Sequence, residues 1–206
     1  MFDGIVSWCA ARLELGMFTA TYLAEQFAKG VSYARYVAGG TEEQRRRWGQ
    51  VYDLAGLTEE QRKLVAGFAR ELKVLVVSGI WCGDCVQQCP LIERIAEANP
   101  ARMAVRYLER DANRELVERI RINQGDRVPV ALFMAEDFEF CSMMGDRTLR
   151  RYRALAVKQL GAACPIAISP PDRDEMAATL GDWLDEFERV QLMLRLSARL
   201  RSKYGD

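Results

Sequence analysis

The strongest constraint on the fold is a hand-over from strand to helix that carries two cysteines. Lys73-Val74-Leu75-Val76-Val77-Ser78 is a continuous apolar, β-branched run, the pattern of a strand covered on both faces. Gly79 turns the chain, and Cys82 and Cys85 follow at once. Beyond them Val86, Pro90, Leu91, Ile95 and Ala98 recur at helical intervals, with Gln87, Glu93, Arg94 and Glu97 between them. Cys82 therefore falls at the start of an amphipathic helix. The unpaired N–H groups and dipole of a helix start stabilise an anion, and so favour a thiolate. Cys85, three residues on, reaches the Cys82 sulfur, a separation that suits a dithiol opening and closing reversibly.

Trp81-Cys82-Gly83-Asp84-Cys85, with Pro90 five positions past the second cysteine, resembles the active site of the thioredoxin family. Val128-Pro129-Val130, continuing into Ala131-Leu132-Phe133-Met134, is similar to the strand that thioredoxins set opposite the dithiol behind a cis-proline. Gly145, sixteen residues after Pro129, falls where the family keeps a glycine after its last strand. The resemblance covers roughly Leu72 to Tyr152. It implies an α/β, thioredoxin-like three-layer fold with a central mixed sheet, and thiol-disulfide oxidoreductase activity. In that reading Cys82 is the nucleophile and Cys85 the resolving thiol. Val128 and Pro129 form the substrate platform, and Trp81, Gly83 and Asp84 tune the site. The implied partners are a disulfide-containing protein and an electron donor, either a reductase or a small thiol, with no bound cofactor.

Two departures qualify the resemblance. Six positions before Cys82, where typical thioredoxins bury an aspartate that helps deprotonate the resolving cysteine, this chain has Val76. Another group or water must then take the proton. Asp84 stands where a proline is usual, and its charge is expected to oppose the helix dipole, raise the Cys82 thiolate pKa and give a reducing couple. A reading from another class, a binding or adaptor protein using the module as a scaffold for helices that recognise a partner, also follows from Val76 and from the large share of chain outside the resemblance.

Other uses of the cysteines fit less well. A zinc site needs two further ligands, and the chain has neither histidine nor a second Cys-x-x-Cys. Cys82-x-x-Cys85-x-x-x-Cys89-Pro90 echoes an iron-sulfur run, but Gly79 stands where the preceding cysteine belongs. No metal site is expected. Cys89, one turn past Cys85, reads as a packing residue before a regulatory thiol, and Cys141 likewise. The missing histidines also exclude a Cys-His protease.

Lys plus Arg and Asp plus Glu balance at 29 each, so no overall basic field recruits nucleic acid or an anionic membrane. No stretch approaches the ~18 apolar residues of a spanning helix, and the N-terminus lacks a leader pattern. With Cys9, Cys141 and Cys164 scattered among apolar neighbours, this points to the cytoplasm.

Three regions follow: a helical N-terminal extension over 1–71, the thioredoxin-like core over 72–160, and a loop with a long C-terminal helix over 161–206. Residues Met17 to Val37 read as an amphipathic helix with a break near Gly30. Thr41-Glu42-Glu43-Gln44 and Thr58-Glu59-Glu60-Gln61 are capped helix starts, the second helix running to about Leu72. Arg45-Arg46-Arg47 reads as a solvated face beside Glu42 and Glu43. Strands are expected at 103–108 and 138–143, a helix from Asp111, and a helix over Leu149 to Leu160 capped by Asp146 or Thr148. Pro165, Pro170 and Pro171 make 161–174 a tether or lid. One helix from Asp174 to Tyr204 carries Leu180, Trp183, Phe187, Val190 and Leu194, a stripe that docks on the module or forms a two-chain seam.

Overall fold

The computed structural model describes residues 18–160 and 174–205. Cys9, Cys164 and the proline-rich segment lie outside them. Four strands, β1 (Leu72–Ser78), β2 (Met103–Glu109), β3 (Val130–Met134) and β4 (Phe140–Gly145), form one mixed sheet in the order β2-β1-β3-β4. β1 and β2 run parallel, whereas β1-β3 and β3-β4 are antiparallel. This is the expected α/β arrangement, with β1 central and its valines fully buried.

Alternation along β1 divides the layers. Ser78 meets Cys89 of α5 (Gly83–Glu97), on the face shared with Val74 and Val76. Leu75, on the other face, meets the end of α1 (Ala20–Lys29) at Gly30. The N-terminal segment breaks at Gly30 into α1 and α2 (Tyr33–Ala38). Between them Val31 exchanges two backbone hydrogen bonds with Tyr107, of 3.0 and 2.8 Å, and so covers the outer edge of β2.

Two capping boxes start α3 (Glu42–Leu54) and α4 (Glu59–Ala66), each satisfying two orphan helix donors. Helix α4 ends at Ala66 instead of near Leu72, because Gly67 caps it and Asn99 Nδ2 takes the Val65 and Phe68 carbonyls. Arg46 pairs with Glu43 on an exposed face of α3, as the charge pattern predicts. The short α6 (Arg114–Arg119) begins three residues later than expected. β4 begins at Phe140 because Phe138, at φ 65°, belongs to the preceding turn.

Helix α7 (Leu149–Leu160) is capped by Thr148, which accepts from Arg151 N–H at 3.4 Å, while Asp146 is engaged elsewhere. The C-terminal stripe is split into α8 (Glu175–Leu196) and α9 (Ala198–Tyr204). Ser197, in extended conformation, ends one and caps the other. The break lets Leu200 bury and brings Arg199 and Lys203 onto Asp137. α8 docks on the module itself: Trp183, Phe187 and Val190 are fully buried, and Phe187 stacks edge-on against Phe133 of β3. Gln191 also brackets the Arg70 backbone with two hydrogen bonds.

Candidate active site

Cys82 is the N-cap of α5, with extended backbone, and its carbonyl accepts from Val86 N–H at 3.0 Å. The loop feeding it is held from two sides. Cys82 N–H donates to Gly79 O at 2.9 Å, and the fully buried Trp48 of α3 donates its indole N–H to Ile80 O at 2.9 Å. A Cβ on Gly79 would stand 2.8 Å from the Trp81 ring, so glycine is what lets that ring lie over the turn. Trp81 remains 45% exposed, and its free face carries the Arg110 guanidinium 4.5 Å from the ring centre, a cation–π contact.

The two sulfurs differ in access. Cys82 is partly exposed and its thiol lies 3.7 Å from Val128 O, whereas Cys85 is wholly buried and accepts from Gly79 N–H at 3.4 Å. Both are free thiols. The hydrogen bond to Cys85, then burial, pushes the Cys82 thiol up, against the pull of the Cys85 and Asp84 backbone N–H groups. Burial raises Cys85 too, with Cys82 partly offsetting it.

The Val128–Pro129 and Gly145–Asp146 peptide bonds are cis. Val128 is buried beside Cys82, and β3 follows directly from Pro129. A Cβ at Gly145 would stand 2.4 Å from the Pro129 carbonyl oxygen, so only glycine permits the β4 end to pass this close. Gly83 opens α5 with nothing within 4 Å of a Cβ built on it.

Asp84 has partners that its place in the motif does not announce. Arg147 places two N–H groups on its Oδ2, at 2.6 and 2.9 Å, and Arg151 Nε lies 3.2 Å from Oδ1. The carboxylate is compensated by these two cations, and the upward push on Cys82 comes chiefly from Cys85 and burial. Arg147 also bridges to Asp146 at 3.2 Å, as does Arg127. Burial opposes ionisation of Asp146, but hydrogen bonds from Tyr152 and Arg127 hold its carboxyl below the ordinary value. Gln88 ties α5 to this rim, donating to Asp146 O at 2.9 Å while its own oxygen accepts from Trp183 at 3.3 Å.

The structure thus gathers Trp81, Cys82, Gly83, Asp84, Cys85, Val128 and Pro129 at one end of the sheet. Sequence reasoning missed Trp48, Gln88, Arg110, Arg147 and Asp146. A motif aspartate calls for a counter-ion, and Arg147 and Arg151, on either side of the start of α7, were visible candidates. Nothing in the sequence pairs Trp48 with Ile80.

The family model described as thioredoxin matches residues 30–154. The chain belongs to the thioredoxin family. The match begins at residue 30, so α2 to α4 fall inside the thioredoxin region that the sequence reading started at Leu72, while α8 and α9 lie beyond it. A crystal structure of a protein of unknown function from Pseudomonas aeruginosa is similar, with a TM-score of 0.64 at 20% identity, over 81% of this chain and 96% of that one. An HIV epitope scaffold is similar at a TM-score of 0.59 and 16% identity, over 81% and 95% of the two chains. These likenesses concern the fold. No curated protein matches.

Proposed function

We propose that this thioredoxin-family protein is a thiol-disulfide oxidoreductase that reduces protein disulfides through Cys82 and Cys85. The observation that carries the reading is the pair itself: an accessible sulfur at the start of α5 and, one turn in, a buried one. The Cys82 thiolate attacks a substrate disulfide, forming a mixed disulfide and releasing one substrate thiolate. The Cys85 thiolate then attacks Cys82 Sγ, closing the Cys82–Cys85 disulfide and releasing the second. Two electrons pass to the substrate, and a reductase or a small thiol restores the dithiol.

Val128 and Pro129 would carry an extended substrate strand beside Cys82, and Trp81 with Arg110 would form its rim. Thiols held above their ordinary range lend the reduced state no stabilisation from ionising, so the dithiol gives up its electrons readily, as a reducing couple does. That fits work in a reducing compartment such as the cytoplasm. Among the described residues no helix is long and apolar enough to cross a membrane.

The test is insulin disulfide reduction by dithiothreitol. The wild type should accelerate it and Cys82→Ser should not. Equal rates with and without the protein would leave a scaffold whose helices bind a partner as the better reading.

A further inference from the structure

The charges at the dithiol end of the sheet form one ladder. Arg127 Nη1 donates to Asp146 Oδ2 at 3.2 Å, and Arg147 Nη1 shares that oxygen at the same distance. Arg147 also takes Asp84 Oδ2, Arg151 takes Asp84 Oδ1, and Arg151 goes on to Glu175, the first residue of α8. Guanidinium and carboxylate alternate along it, so every inner group has a partner on each side. The ends are opposite in sign. Glu175 closes one, and Arg127 is the other, with Asp146 as its ion-pair partner among the described residues.

The positive end lies beside the substrate platform. Arg127 immediately precedes Val128, whose carbonyl oxygen is 3.7 Å from Cys82 Sγ. Its stem runs over the turn at Gly125, where a Cβ would stand 3.3 Å from Arg127 Cγ. The Asp146 side chain is 4% exposed and that of Arg127 38%, so the charge that meets solvent here is the guanidinium. One of its five N–H groups is engaged with Asp146, which leaves donors for a ligand. The neighbouring acids are already held: Asp126 by Arg121 at 2.7 Å and Arg114 at 3.2 Å, and Asp111 by Arg110 at 2.8 Å.

We propose that Arg127 selects disulfides that carry an acidic residue beside the attacked half-cystine. This rests on the thiol-disulfide reading above and leaves its chemistry unchanged. A substrate chain laid along Val128 with its cysteine at Cys82 brings an adjacent side chain to Arg127. A carboxylate there accepts from two N–H groups of the planar fork, an amide accepts without the charge, and an ammonium is repelled. The wall across Cys82 makes no such choice. Arg110 lies over Trp81, and its N–H groups are taken by Asp111 and the Asp126 carbonyl.

The test uses three peptides, each closed by one disulfide and differing only in having Glu, Gln or Lys beside the cysteines. The rate at which each oxidises the reduced protein is followed by alkylation and mass spectrometry. Comparing the Glu-to-Gln rate ratio between wild type and variant cancels the intrinsic reactivity of the peptides. That ratio should be about threefold to fivefold higher in the wild type than in Arg127→Gln at low salt, the size of a part-exposed ion pair. It should shrink in about 0.5 M salt, and Arg127→Glu should turn the preference toward the Lys peptide. A ratio that is the same in wild type and Arg127→Gln overturns the proposal, and equal slowing of all three peptides would show that Arg127 acts only by holding Asp146. If none of the peptides oxidises the wild-type dithiol, it is the oxidoreductase reading that fails, and the selectivity falls with it.

Discussion

The front and back of the dithiol are built on opposite principles. Around Cys82 the protein uses full charges in matched sets: Asp84 with Arg147 and Arg151, and Asp146 with Arg127 and Arg147. Behind Cys85 it uses thiol, hydroxyl and aromatic groups, from Cys89 and Ser78 to Tyr36, Tyr107 and Tyr33. The difference follows from solvent. At the rim, water and partner charges offset ionisation, whereas behind the helix an ionised group pays desolvation. The carboxyl of Glu93, which does reach the rear side, is accordingly pushed up to about 7, chiefly by burial. Val76 in place of an acid belongs to the same economy.

The rear side predicts the larger stability effect. Because the folded state raises the Glu93 pKa above the usual carboxylate value, folding favours the protonated form. That stability is fully present below about pH 4.5 and is lost as pH rises through about 7. Glu93→Gln should therefore stabilise the protein by roughly 1 to 3 kcal/mol at pH 8, and change little at pH 4. Denaturant midpoints at the two pH values check this, and an equal effect at both would contradict a buried carboxyl with a raised pKa.

The front predicts a smaller effect on stability and a visible one on the thiol. Arg147→Ala leaves Asp84 with Arg151 alone, so its charge bears more strongly on Cys82. Absorbance at 240 nm should show the first thiolate appearing about half a pH unit higher than in the wild type. The stability cost should stay near 1 kcal/mol, because the pair is partly solvated. An unshifted titration would mean that Asp84 is electrically silent even without Arg147.

Much of this was legible in the chain, and the limits have physical reasons. The strand, the cysteine pair, the proline strand and both capping boxes are local patterns, and each sits where its spacing puts it. Helix ends were less legible: Asn99 holds the end of α4 through a contact made only after folding, and Ser197 interrupts a stripe whose apolar spacing runs straight through it. The setting of Asp84 was hidden for the same reason: a charge is judged by its neighbours, and Arg147 is distant in sequence. The rear side was hidden more deeply, since the Ser78–Cys89 contact joins a strand to a helix and both residues look like ordinary core one at a time.

The most direct measurement is to trap the intermediate. Cys85→Ser protein mixed with a peptide carrying one disulfide should accumulate a mixed disulfide, and peptide mapping by mass spectrometry should place it on Cys82. The Cys82→Ser protein should form no such adduct at Cys85, whose sulfur is out of reach. An adduct on Cys85, or none on Cys82, would contradict the division between an attacking front sulfur and a resolving rear one.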